Sequence, residues 1–228
     1  MSEQIYNAGG LRFWTESEIE LREAFQARIA SVIRRELTTM NAAFRVARVE
    51  GPIITPRSLM SSYGDDDVFA LPWDKANEAW ALRAETTAST YAVMKRAGVR
   101  LPFCAWQAGK SFRKEENDGA SAAKLRFNEF WQQEFQIAYR SDTKADYRAS
   151  LIRSVKAEIS RFTNCETRIV ESDRLPSYSL STLDVEAMHN GTWREMASCS
   201  IRNDYAPDVL VCEIAIGLCR IATLAGEA

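Results

Sequence analysis

The sequence predicts an α+β fold, an antiparallel sheet flanked by helices, and three observations carry that prediction. A capped stripe of apolar residues at helical spacing lies near the start. Two β-prone arms around a polar tip fill the middle, residues 101–139. Strand-length runs joined by a tight-turn signal and followed by a short helix occupy the end.

Taken in order, residues 1–14 read as a flexible arm. Thr15-x-x-Glu18 is a capping-box pattern, and Leu21, Phe25, Ile29, Val32 and Ile33 then recur at helical spacing to about Leu37. Phe44 to Glu50 reads as a strand that runs into Gly51-Pro52. Residues 55–80 are mixed, with Asp65, Asp66 and Asp67 at a solvated turn rather than a metal cluster. Leu82 to Thr87 opens a helix that reaches about Ala97. In the central stretch, Glu116 to Lys124 forms the tip, with turn chemistry at Asn117, Asp118 and Gly119. Ser141 to about Phe162 is an amphipathic helix carrying Tyr147, Leu151, Ile152, Val155 and Ile159 on one side. Thr167–Glu171, Leu183–Met188, Trp193–Ile201 and Val209–Ile216 read as strands, with Asn190-Gly191 as a hairpin turn between the second and third. Gly217 to Ala225 closes as a helix. With no linker, repeat or low-complexity block, residues 1–228 read as one domain.

Composition narrows the function. The chain has 228 residues, 46% hydrophobic and 26% charged, with a net charge of −2, so no global basic field announces a nucleic acid. No apolar run approaches the ~20 residues of a membrane helix, and the first residues lack the pattern of a signal peptide. Five scattered cysteines without a CxxC pair fit reduced thiols and a cytoplasmic setting. His189 is the sole histidine, which argues against a histidine metal site or a Ser-His-Asp triad.

The central arms carry the chemistry. Arg113 and Glu115 sit at i and i+2 on the first arm, and Arg126, Glu129 and Phe130 lie on the second; Phe130 falls on the face opposite Glu129 in an ideal strand. Such a set suits a nucleotide, with arginine for phosphate, an aromatic ring for the base and a carboxylate for its amine.

Gln107-x-Gly109-Lys110-Ser111-Phe112-Arg113-x-Glu115, a loop, and then Arg126-x-x-Glu129-Phe130-x-x-x-Glu134 resembles motif 2 of the class II aminoacyl-tRNA synthetases, the glycyl enzymes above all. The first helix and the strand ending in Gly51-Pro52 resemble motif 1. Glu213-Ile214-Ala215-Ile216-Gly217-Leu218-Cys219-Arg220 resembles motif 3. Asp184-Val185-Glu186 with Trp193 to Ser200 and Asp204-Tyr205 is similar to the segment preceding motif 3 in seryl and glycyl enzymes, and Leu82-Arg83-Ala84-Glu85-Thr86 to the Leu-Arg-Pro-Glu-Thr of glycyl enzymes, with Ala84 for the proline.

The resemblance implies ATP-dependent activation of an amino acid, glycine or another small one, to an aminoacyl-adenylate, with Mg²⁺. It casts Arg113 and Arg220 as catalytic. ATP would be held by Arg113, Glu115, Arg126, Phe130, Glu213 and Arg220, and the amino acid by Glu85, Gln107, Glu129, Ser198 and Ala215. The metal would lie on Glu195 and Glu213. It also implies a homodimer through the motif 1 region. Transfer to the acceptor end of a tRNA, or to another acceptor such as a carrier protein, would follow. A silent paralogue that binds a nucleotide, an amino acid or RNA is the rival reading. Ala215 stands where glycyl enzymes carry serine and Ile201 where they often carry aspartate. Glu85-Thr86 and Glu134-Phe135 occupy the places of the threonyl zinc ligands, so no zinc is expected. The sequence ends soon after Arg220, and the reading is of a catalytic domain without an anticodon-binding domain.

Overall fold

The computed structural model describes residues 11–60, 62–75, 78–115, 120–121, 123–173 and 178–227, without the side chains of 74 and 75. Most of the expected polar tip, including Asn117, Asp118 and Gly119, and the first ten residues of the expected arm lie outside the described residues.

The first helix, α1 (Glu16–Met40), starts where the capping box predicts. The Thr15 hydroxyl accepts from the Glu18 amide, and the Glu18 carboxylate accepts from the Thr15 amide at 2.8 Å. Its stripe of Phe25, Ile29, Val32, Ile33 and Leu37 is buried. Upstream, Arg12 donates to Thr223 at 2.7 Å and stacks on Trp14, which meets Phe127 edge-on.

Strands β1 (Arg45–Arg48), β5 (Phe103–Phe112), β6 (Glu129–Arg140), β7 (Thr167–Glu171), β8 (Ser179–His189), β9 (Thr192–Ala206) and β10 (Val209–Gly217) form one sheet in the order β1-β5-β6-β10-β9-β8-β7. Every pair is antiparallel except β1 with β5, which is parallel. The β8–β9 hairpin turns on Asn190 and Gly191, both at positive φ (48° and 73°), as the Asn-Gly signal requires. A smaller sheet, in the order β2-β4-β3, joins β2 (Ile54–Pro56), β3 (Ala70–Lys75) and β4 (Glu78–Leu82). Leu82 therefore ends a strand, and α2 (Thr87–Ala97) begins five residues later than the sequence suggests. The acidic run Asp65–Asp67 is an exposed 3-10 turn.

The alternation of the strands divides the large sheet. One face, with Trp106, Phe135, Ile137, Ile214 and Cys199, is covered by α1, α3 (Tyr147–Thr163) and α4 (Leu218–Glu227) and forms the main apolar core. The other face is polar although much of it is buried, and α2 lies across its far end, where Tyr91 and Met94 meet Ala105, Ala138 and Val211.

Arg83 ties the small sheet to β5. The side chain is buried, and its guanidinium donates to the carbonyls of Lys110 (2.7 Å) and Gly51 (2.8 Å). Gly109 leaves the space this guanidinium needs, since a Cβ there would overlap Arg83 Nη2. Gly109→Ala should therefore destabilise the fold by about 1–3 kcal/mol, because the pinned guanidinium cannot simply swing aside. Urea unfolding of the variant beside the parent protein checks this, and an unchanged midpoint would count against the pin.

Candidate active site

Two rows of side chains cross the polar face. One runs Gln107, Glu134, Ala215, Ser198 and Asp184 through β5, β6, β10, β9 and β8. The next runs Ala105, Gln136, Glu213, Ser200 and Thr182. Burying carboxylates in such a floor is costly unless donors surround them. Glu134 is fully buried and accepts from the hydroxyls of Thr86 (2.6 Å) and Thr87 and from Gln136 Nε2 (2.8 Å). Glu213 Oε2 accepts from Gln136 Nε2 (2.8 Å) and Arg202 Nη1 (2.6 Å). Glu85, just ahead of α2, accepts from the Tyr63 hydroxyl at 2.6 Å. Burial first, and then the charge of Glu213, raise the pKa values of Glu85 and Glu134 above the ordinary carboxylate range.

Arg202 closes this end of the face. Nη1 donates to Glu213, while Nε and Nη2 donate to Asp204 at 3.1 and 2.9 Å. The rings of Tyr91 and Tyr178 lie 4.0 and 3.9 Å from its guanidinium carbon. Nitrogens and faces are thus committed, and Arg202 is a wall of the site.

The other end is a cluster of arginines. Arg113 follows β5 and donates from Nε to the Ala84 carbonyl (3.0 Å) and from Nη2 to the Tyr63 hydroxyl (2.9 Å). Its guanidinium lies 5.2 Å from the rings of both Tyr63 and Phe130. Burial acts to lower its pKa, but Tyr63, Glu85, Glu195 and Glu115 hold it above the usual value. Arg126 pairs with Glu115 at 3.3 Å. Arg220, at the start of α4, donates to the carbonyls of Leu125 (2.9 Å) and Glu195 (2.5 Å), and burial lowers its pKa, with Arg113 and Arg126 adding to the effect. Cations gathered this way suit a polyanion.

The structure thus brings Arg113, Glu115, Arg126, Phe130 and Arg220 together, with Glu195 beside them. Ser198, Ala215 and Glu213 lie on the same face, Glu213 bonded to Arg202, and Glu85 reaches Arg113 through Tyr63. Three expectations need correction. Glu129 projects from the opposite face, where it pairs with Lys110 and lines a groove with Trp131 and Arg22; strand alternation, which places Phe130 on the site, removes Glu129 from it. Gln107 is a pin rather than a free ligand: its Nε2 donates to the Thr86 carbonyl (2.8 Å) and Ser89 hydroxyl (2.9 Å), and its Oε1 accepts from the Gly51 amide (3.0 Å). Glu195 and Glu213 are not cross-strand neighbours as a shared ion site would want. Glu213 faces Ser200, and Glu195 lies five residues farther along β9, past a bulge.

Glu134, Gln136, Arg202 and Tyr63 were not singled out as site residues in the sequence. A signal existed for two of them: Gln132, Glu134 and Gln136 alternate along β6 as a polar stripe continuing from Phe130. Among the described residues no group of three histidine, cysteine or acidic side chains is placed to hold a metal.

Comparison with solved structures gives the fold. Prolyl-tRNA synthetase of Giardia lamblia, in complex with prolyl-adenylate, matches over 95% of this chain with a TM-score of 0.75 and 14% identity. Prolyl-tRNA synthetase of Cryptosporidium parvum, complexed with halofuginone and AMPPNP, matches over 96% with a TM-score of 0.73 and 12% identity. The fold is that of a class II aminoacyl-tRNA synthetase catalytic domain. Each match uses 48% of the longer chain. In sequence, the chain is 27% identical to the glycine–tRNA ligase of Mycoplasmopsis synoviae (strain 53) over 141 residues, which is 58% of this chain and 31% of that protein. The glycyl likeness is therefore one of partial sequence, and these structural likenesses are to prolyl enzymes. No family model matches.

The site predicts a pH response. Burial raises the pKa of Asp184, in the first row, to about 6, with Glu195, Asp173 and Glu186 adding to the effect and a hydrogen bond from Ser172 opposing it. A carboxylate with a raised folded-state pKa stabilises the fold below its unfolded value, and that contribution is lost as pH rises through the folded value. Asp184→Asn should flatten the decline in stability between about pH 4 and 6 that Asp184 contributes. Denaturant midpoints across that range would show it; an identical slope in both proteins would contradict the assignment.

Proposed function

We propose that this protein activates a small amino acid with ATP, forming an aminoacyl-adenylate and releasing pyrophosphate. The observation that carries the proposal is the position of Arg113 between two unlike sets of groups. On one side are buried carboxylates suited to a substrate ammonium, and on the other are Arg126 and Arg220, suited to the ATP phosphates. The AMPPNP and prolyl-adenylate of the prolyl-tRNA synthetases belong to those proteins, and they support the same use of the shared fold here.

Glu85 would take the ammonium, with buried Glu134 behind it. The substrate carboxylate oxygen would attack the α-phosphorus as the bond to pyrophosphate breaks. Arg113 would face the charge that develops there, while Arg220 and Arg126 hold the leaving pyrophosphate. Phe130 would bear on the adenine ring and Glu115 would accept from its amine. Catalysis of this kind is positioning and charge stabilisation.

Mg²⁺ keeps several waters and needs only one or two carboxylates beside substrate phosphates. Exposed Glu195, next to Arg220, fits that requirement. Glu213, with one oxygen shared by Arg202 and Gln136, does not fit the same ion. A bound Mg²⁺ would neutralise phosphate charge.

Arg202 supports a small, uncharged side chain. It walls the pocket, and because its nitrogens are committed to Glu213 and Asp204 it offers nothing to an acidic substrate. Glycine is the first choice, in keeping with the partial likeness to a glycine–tRNA ligase. Transfer to a tRNA acceptor end or another acceptor, a homodimer through α1 and β1, and a cytoplasmic setting complete the reading. The free state of all five cysteines fits that setting. Among the described residues no helix is long and apolar enough to cross a membrane.

ATP–pyrophosphate exchange with each of the twenty amino acids and Mg²⁺ tests the proposal. Exchange with one small amino acid is expected. Arg113→Ala should abolish it, by a factor of roughly 100 or more, while the circular dichroism spectrum is kept. Near-normal exchange in Arg113→Ala would overturn its role, and ATP binding without exchange for any amino acid would favour the silent paralogue.

A further inference from the structure

Tyr63 has no part in the activation scheme above, yet it joins the two halves of the site. It lies beyond the 3-10 turn Arg57–Met60, and its backbone is held there: its amide donates to the Met60 carbonyl at 3.1 Å, and Arg57 donates to its carbonyl. Arg57 is itself anchored to Asp65 at 3.1 Å. From this fixed base the Tyr63 hydroxyl donates to Glu85 Oε2 (2.6 Å) and accepts from Arg113 Nη2 (2.9 Å), while its ring covers the Arg113 guanidinium. Burial, and next the charge of Glu85, raise the Tyr63 pKa well above the usual phenol value, so the hydroxyl keeps its proton.

Resting on the adenylation reading, we propose that Tyr63 is a positioning residue that couples amino-acid binding to ATP binding through the chain Glu85–Tyr63–Arg113. The physical basis is polarisation along a hydrogen-bonded series. An ammonium at Glu85 favours the ionised carboxylate, and a bond donated to an ionised acceptor is shorter and stronger. A hydroxyl that donates more strongly also accepts more strongly, so the bond from Arg113 tightens in turn. Arg113 is then fixed in one position before the phosphates arrive, and binding of one substrate favours the other. Coupling of this kind is reciprocal and commonly amounts to a factor of 5–150.

Tyr63→Phe keeps the ring over Arg113 and removes only the bridging hydroxyl. The experiment is calorimetric binding of AMPPNP with Mg²⁺, in the presence and absence of saturating glycine, alanine or serine, to the full chain and to Tyr63→Phe. In the parent protein one of these amino acids should tighten AMPPNP binding about tenfold. In Tyr63→Phe the ratio should fall to about 1, whatever the AMPPNP affinity measured alone. A purely structural role would weaken binding without moving the ratio. A ratio preserved in Tyr63→Phe, or a parent protein that binds both ligands without coupling, overturns the role of Tyr63 and leaves the adenylation reading standing. A parent protein that binds neither AMPPNP nor any of these amino acids overturns the adenylation reading and this inference with it.

Discussion

Burial, and next the charge of Glu213, disfavours ionisation of Glu85 and Glu134 on one polar face, and all the packing around that face answers to this constraint. Carboxylates taken out of water need donors, and the chain supplies them from separate elements. Thr86 and Thr87 come from the start of α2, Gln136 from β6, Arg202 from β9 and Tyr63 from the segment before β3. A floor built this way cannot be assembled locally. It needs the large sheet in register and α2 and the small sheet held against it, which is what Arg83 and Gln107 do.

The same constraint separates the ends of the site. Arg202 is consumed by its acidic partners, whereas Arg113, Arg126 and Arg220 crowd together with fewer carboxylates, and Arg220 pays for that crowding with a lowered pKa that burial initiates. One end is therefore acidic and closed, the other cationic and receptive to a polyanion. The proposed activation of an amino acid by ATP asks for both within reach of each other, and the fold shared with prolyl-tRNA synthetases provides the sheet on which they are set.

Much of the fold was legible because its signals are local. The capping box placed the start of α1, Asn190-Gly191 placed the β8–β9 turn, and Thr167–Glu171 was read with both ends where β7 has them. The start of α2 was misplaced because Leu82 to Thr87 has the composition of a first helical turn. Pairing of Leu82 with Ile54 makes Leu82 strand instead, and no local pattern reveals a cross-strand partner. The parallel pairing of β1 with β5 was hidden for the same reason.

At the site, the sequence by itself determined which residue types were available and, from the two central arms, that Arg113, Glu115, Arg126 and Phe130 belong together, while Arg220 joined them only through the resemblance to motif 3. Only the tertiary structure decided which carboxylates share a face. Glu129 and Glu134 look equivalent in the sequence, but five residues apart on one strand they point to opposite sides, and the pairing with β5 and β10 makes Glu134 the inward one. Arg202 and Tyr63 acquire their places from contacts with residues 11 and 22 to 50 positions away, a distance over which no propensity or periodicity acts.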